Sequence, residues 1–162
     1  MFRYLFLILI LISYMSTAAE ARAKRPCTGD EATVACLKKN FEEVYEKAYI
    51  QFQIIIGFAE SKAVSCASVD DTAAYLDLAP ETKGNPEVEE YFREFIEEKF
   101  VKTNVECLLN GLLKTGDDAR KIILGNYLRK PIVLTADEVG KALSPFKTHE
   151  KFGEMLKLYF GE

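Results

Sequence analysis

The chain has 162 residues, of which 49% are hydrophobic and 28% are charged, and its formal net charge is −4 at pH 7. This balance is typical of a folded globular domain and argues against intrinsic disorder. A nucleic-acid binder or a polybasic membrane-surface binder would carry a basic excess, which this acidic chain lacks.

The N-terminus has the pattern of a secretory signal peptide. Arg3 precedes an apolar run over residues 5–12, and small residues at Ala19 and Ala21 form an A-x-A-like cleavage site. The run is too short for a membrane span, which needs about 20 apolar residues. We therefore predict a signal peptide over residues 1–21, a single helical domain over residues 26–162, an extracellular location and no membrane span.

Residues 22–25 form a basic segment between the signal and the domain. Its Arg22, Lys24 and Arg25 have the R-x-K-R spacing that furin-type convertases cut, which would make the segment a short propeptide. Pro26 follows directly and should hinder cleavage, so an uncut basic tail stays an open alternative.

Four cysteines lie in the predicted mature chain: Cys27, Cys36, Cys66 and Cys107. An even number behind a signal peptide predicts two disulfides. An unbroken helix would hold Cys36 and Cys66 about 45 Å apart, whereas a disulfide needs Cα atoms within about 7 Å. The favoured pairs are therefore Cys27–Cys36 and Cys66–Cys107, with Cys36–Cys66 as the alternative if the helix breaks at Gly57.

The first helix organises the prediction. A T-x-x-E capping box at Thr28 predicts its start near Asp30, and an apolar stripe continues to near Cys66. Beyond Lys47 the opposite face becomes apolar as well, which indicates burial on all sides. The residues on that second face are Ile50, Ile54 and Phe58.

Helical periodicity continues to the C-terminus, and capping residues, glycines and prolines divide it into separate helices. Further helices are predicted over residues 68–78, 86–102, 104–114 and 117–130, then a brief one around Val139 and a last one over residues 148–160. Asn85-Pro86 and two further T-x-x-E capping boxes, at Thr103 and Thr135, mark helix starts. Residues 86–114 are predicted to form two helices, with one sharply bent helix as the alternative. No segment alternates with the period of a strand. The predicted fold is all-α: a disulfide-stapled bundle of six or seven helices around a long central first helix.

Catalytic and metal-binding signatures are missing from the sequence. His149 is the one histidine, and the second ligand of an H-E-x-x-H motif is absent because position 153 is glycine. The acidic doublets, among them Glu97-Glu98, are expected on solvated helix faces or near helix N-termini. We expect no cofactor, no metal and no enzymatic activity.

Aromatic residues at helical spacing suggest either a packed core or a ligand site between helices. The first hypothesis is a secreted binding protein that carries a small apolar ligand in the bundle interior. The candidate ligand-binding residues are Phe52, Ile55, Phe92, Phe95 and Phe152. The alternative is a secreted effector of the hormone-like, salivary or venom type, which acts on an extracellular protein.

A helical, disulfide-stapled chain of this size with a signal peptide resembles the insect odorant-binding proteins, with a reduced cysteine set, or a four-helix cytokine. Its last cysteine is Cys107, whereas the odorant-binding proteins place cysteines late in the chain.

Overall fold

The computed structural model describes residues 26–161, and within this range the chain is helical with no β-strand. The predicted signal peptide and basic segment lie outside these residues. Nine α-helices follow one another: α1 (Val34–Lys39), α2 (Phe41–Lys47), α3 (Tyr49–Ser65), α4 (Val69–Leu76), α5 (Pro86–Ile96), α6 (Val105–Lys114), α7 (Asp117–Ile122), α8 (Ala136–Leu143) and α9 (Gly153–Phe160). None of these helices is both long and apolar enough to span a bilayer.

The long first helix of the sequence analysis is in fact three helices, so the described residues form nine α-helices and not the six or seven predicted. Single residues with non-helical backbone angles, Asn40 and Ala48, separate α1 from α2 and α2 from α3. The Asn40 side chain ends α1 by donating a hydrogen bond to the Cys36 carbonyl at 3.0 Å. The helix does not break at Gly57, through which α3 runs without interruption.

The second face of α3 is exposed, so the prediction of burial on all sides was wrong. Ile50 is 75% exposed, Ile54 58% and Phe58 62%. The other face is buried through Phe52 and Ile55. Helix α3 packs against α1, α2 and α4, while α4 packs against α1, α3 and α6.

Helices α3, α4 and α6 meet at one closely packed junction. The Cys66–Cys107 disulfide links the end of α3 to α6, with 5.8 Å between the Cα atoms. Thr72 of α4 donates a hydrogen bond to the Ala63 carbonyl of α3 at 3.1 Å. A Cβ atom on Gly111 of α6 would come within 2.5 Å of the Thr72 methyl, so only glycine allows this approach of α4 and α6.

The second disulfide joins Cys27 to Cys36, with 5.6 Å between the Cα atoms, and ties the entry segment to α1. Both bridges are those favoured from the sequence. Together they leave no free cysteine.

Local signals located several helices well. The predicted segments 68–78, 86–102 and 104–114 contain α4, α5 and α6, and the capping box at Thr135 opens α8. The other two predicted boxes are not formed: Thr33 caps α1 and Asn104 caps α6. The last helix, α9, begins five residues later than predicted because a turn occupies residues 147–152.

Glu97 is a buried carboxylate, not the solvated one expected from its doublet. It is 1% exposed and opens the π-helical turn Glu97–Val101 after α5. Its oxygens accept hydrogen bonds at 2.9, 2.8 and 2.8 Å from the backbone N–H groups of Ile132, Val133 and Leu134. One side chain therefore holds the connection between α7 and α8 against α5.

Replacement of Glu97 by Ala should destabilise the fold by about 3 kcal/mol, because three backbone N–H groups lose their acceptor. The change is measured as the free energy of unfolding in urea. Glu98→Ala is the control: its carboxylate makes a surface ion pair with Lys102, which is worth less than about 1 kcal/mol. Equal losses in the two variants would contradict the role assigned to Glu97.

The disulfides should contribute unequally to stability. Their sequence separations are 41 residues for Cys66–Cys107 and 9 for Cys27–Cys36. Loop-entropy estimates then give about 4 kcal/mol for the longer loop and about 2.5 kcal/mol for the shorter one. Thermal unfolding of the two double alanine variants should show the larger fall in Tm for Cys66 and Cys107. An equal or reversed order would contradict this prediction, and non-reducing peptide mapping checks the pairing.

Candidate functional site

The five predicted ligand-binding residues do not form one site: the four phenylalanines lie in three separate aromatic groups, and Ile55 lies apart from them. Phe52 contacts Phe41, Tyr45 and Tyr49; Phe92 and Phe95 both contact Tyr75; Phe152 contacts Phe146 and His149. Phe92 and Phe152 are each only 1% exposed, so their rings are core packing. Ile55 lines a groove of about 270 Å³ between α1, α3 and α4.

A second groove, which we call the α3–α5 groove, has an aromatic lining. Its volume is about 250 Å³. The lining residues are Tyr45 from α2, Tyr49, Phe52, Gln53, Ile56, Gly57 and Glu60 from α3, and Glu87, Val88 and Tyr91 from α5. Of the five predicted residues, Phe52 belongs to this groove.

The α3 positions in this groove share one side of the helix. Tyr49, Gln53 and Glu60 are separated by four and seven residues, so they form one stripe beside the buried face. Gly57 has no Cβ and meets no other atom within 4 Å of where one would be, which leaves the groove open at that position.

The aromatic rings of the α2–α3 wall are in contact with one another. Tyr45 lies edge-on to Tyr49 and to Phe52, with centroid distances of 5.6 and 5.2 Å. Tyr49 and Phe52 are nearly parallel, at 15° and 6.1 Å. These contacts fix the orientation of the ring faces.

Two carboxylates border the rings and are held by tyrosine hydroxyls. Tyr91 and Tyr75 donate hydrogen bonds to Glu60 at 2.9 and 3.2 Å. Tyr45 donates to Glu87 at 3.3 Å. These bonds cross between helices, because Glu60 is on α3 while Tyr75 is on α4 and Tyr91 on α5.

Burial changes the acidity of this cluster. Desolvation raises the pKa of Glu60 above its ordinary 4.5, although the hydrogen bonds from Tyr91 and Tyr75 oppose the rise. Desolvation and the hydrogen bond to Glu60 also raise the pKa of the Tyr91 hydroxyl. Both tyrosines therefore remain neutral donors at physiological pH.

The part of the chain that the structure describes does not bring metal-ligating side chains together. No group of three or more His, Cys, Asp or Glu side chains could hold a metal ion. His149 is exposed in the turn before α9, where its Nδ1 accepts the N–H of Lys151 at 3.1 Å. It therefore lies on the surface.

Sequence reasoning missed most of the α3–α5 groove. Tyr45, Tyr49 and Tyr91 were recognisable only as members of a large aromatic set, and nothing marked Glu60 or Glu87 as different from other acids. The stripe on α3 was the one available signal. The partner helix α5 is brought to it by tertiary packing.

Comparisons with protein-family models, with curated proteins and with solved structures find no match to this chain.

The raised pKa of Glu60 predicts a pH-dependent effect of Glu60→Gln. A carboxyl whose pKa is raised on folding adds stability below the unfolded value, here 4.5, and loses that contribution as pH rises through the folded value. The stability of the wild type relative to Glu60→Gln should therefore fall as pH rises above 4.5. Urea unfolding of both proteins over a pH series measures it.

Tyr91→Phe provides a second check on the same group. It removes a hydrogen bond that opposes the rise in the pKa of Glu60, so this pKa should rise further. The pH range over which the stability contribution of Glu60 is lost should then extend to higher pH. A stability difference that stays constant across this pH range would contradict the assignment.

Proposed function

We propose that this protein is a secreted, non-enzymatic binding protein whose small ligand occupies the α3–α5 groove. The observation that carries the proposal is the aromatic lining: four rings, those of Tyr45, Tyr49, Phe52 and Tyr91, border a cleft of about 250 Å³. Apolar and aromatic walls with a few polar groups are typical of small-molecule sites. Secretion is supported by the N-terminal pattern and by two disulfides, which persist in oxidising compartments.

This proposal moves the ligand from the bundle interior to a surface groove. In the interior, Phe92 and Phe152 are already packed against other rings. In the groove, Tyr49 and Tyr91 are each 47% exposed, so their ring faces have area left to bury. Covering such surface contributes about 25 cal/mol per Å².

A second candidate function is the effector that acts by docking on an extracellular protein. The exposed stripe of Ile50, Ile54 and Phe58 favours it, because these side chains recur every four residues on one face of α3. Lys62 follows at the same spacing, with its Nζ 4.7 Å from the centroid of the Phe58 ring, so the partner would present a mainly apolar surface. Gln53 and Gly57 separate the stripe from the groove rings.

Removal of a groove wall should weaken the binding of a neutral aromatic probe. Titration with N-phenyl-1-naphthylamine, followed by its fluorescence, should give an affinity about tenfold lower for Tyr49→Ala and for Tyr91→Ala than for the wild type. The reason is that a lost ring contact is worth about 1 kcal/mol or more.

Ile54→Ser is the matched control, because Ile54 is exposed on the same helix but does not line the groove. It should leave probe affinity within twofold. Equal affinity in all four proteins, or no binding to the wild type, would contradict the groove. Loss of probe binding in Ile54→Ser alone would instead favour the exposed stripe as the functional surface.

A further inference from the structure

The α3–α5 groove is negatively charged as well as aromatic. Glu60 and Glu87 line it, and none of its lining residues is Lys, Arg or His. Glu94 on α5 adds negative charge near the groove, since its charge acts on the Tyr91 hydroxyl. An anionic ligand would therefore be repelled from this groove.

Within the described part of the chain, the two groove carboxylates have only neutral hydrogen-bond partners. Their hydrogen bonds come from the hydroxyls of Tyr45, Tyr75 and Tyr91, and no ion pair within residues 26–161 includes either of them. Glu60 is partly buried and carries a desolvation cost, whereas Glu87 is exposed. A cation in the groove would offset that cost.

The rings favour the same sign of charge. The face of an aromatic ring carries negative charge density and attracts an ammonium group within about 6 Å of its centroid. The hydroxyls of Tyr45 and Tyr91 are held by Glu87 and Glu60, which fixes these rings beside the carboxylates. The ring faces and the carboxylates therefore both attract a cation into the same groove.

The cation that matches this lining is organic. A hard metal ion such as Ca²⁺ needs six or more oxygen ligands, and no group of three candidate side chains is assembled among the described residues. Apolar walls from Phe52, Ile56 and Val88 would contact carbon atoms of the ligand.

From these observations we infer that the ligand of the α3–α5 groove is a small organic ammonium ion, with its charged nitrogen at Glu60 and Glu87 and its apolar body against the rings. This inference rests on the proposed function, because it names the ligand class of the same groove.

The test compares two probes of the same shape and different charge. Isothermal titration calorimetry at pH 7 should show 2-phenylethylammonium binding about tenfold or more tightly than the neutral 2-phenylethanol. Glu60→Gln and Glu87→Gln should each reduce the affinity for the ammonium by about tenfold and change the affinity for the alcohol by less than twofold.

Glu154→Gln on α9 is the control for net charge, since it removes one negative charge from a residue that does not line the groove. It should leave both affinities unchanged. Thermal unfolding shows whether each variant is folded, and Glu87→Gln provides an independent arm if Glu60→Gln is not.

The outcomes separate the inference from the proposed function. If both probes bind equally, or the alcohol binds more tightly, the inference is overturned and the groove remains a site for neutral ligands. If neither probe binds but N-phenyl-1-naphthylamine does, only the inference is overturned; if none of the three binds, both are overturned. If the preference for the ammonium persists in both groove variants, the cation is held elsewhere and the inference fails.

Discussion

The close approach of α4 to α6 is the constraint on which the rest of the fold depends. Gly111 gives α4 room to lie against α6, and Thr72 at the same contact reaches back to the carbonyl of Ala63 at the end of α3. The Cys66–Cys107 bridge closes this junction covalently. Because α4 is fixed between α3 and α6, its Tyr75 reaches Glu60 on α3, and this contact supports the wall of the α3–α5 groove.

The sequence predicted those features of the fold that local signals encode. Thr135 with Glu138, and Asn85 followed by Pro86, fixed the starts of α8 and α5 through capping chemistry that needs no distant partner. The break at Ala48 has no such signal, since alanine is the strongest helix former. Periodicity also could not show that Ile50 faces solvent, because an apolar face looks the same whether or not another element covers it.

The candidate site was predictable only in part, for a related reason. The α3 stripe that ends in Glu60 is a local pattern, but its meaning depends on Tyr91, which lies 31 residues further along the chain. Glu97 shows the same limit: its neighbour Glu98 makes a surface ion pair, and nothing local distinguishes the two carboxylates. In each case a contact between distant segments gives an ordinary residue its role.

The way Glu97 holds the connection between α7 and α8 has a consequence for how this sequence can vary. The carboxylate binds backbone N–H groups, while the side chains of Ile132 and Val133 are each 41% exposed. Many residues can therefore replace Ile132 and Val133, but proline, which has no N–H, is excluded. We expect related chains to keep an acidic residue at position 97. The side chains of the loop whose backbone it binds should vary freely.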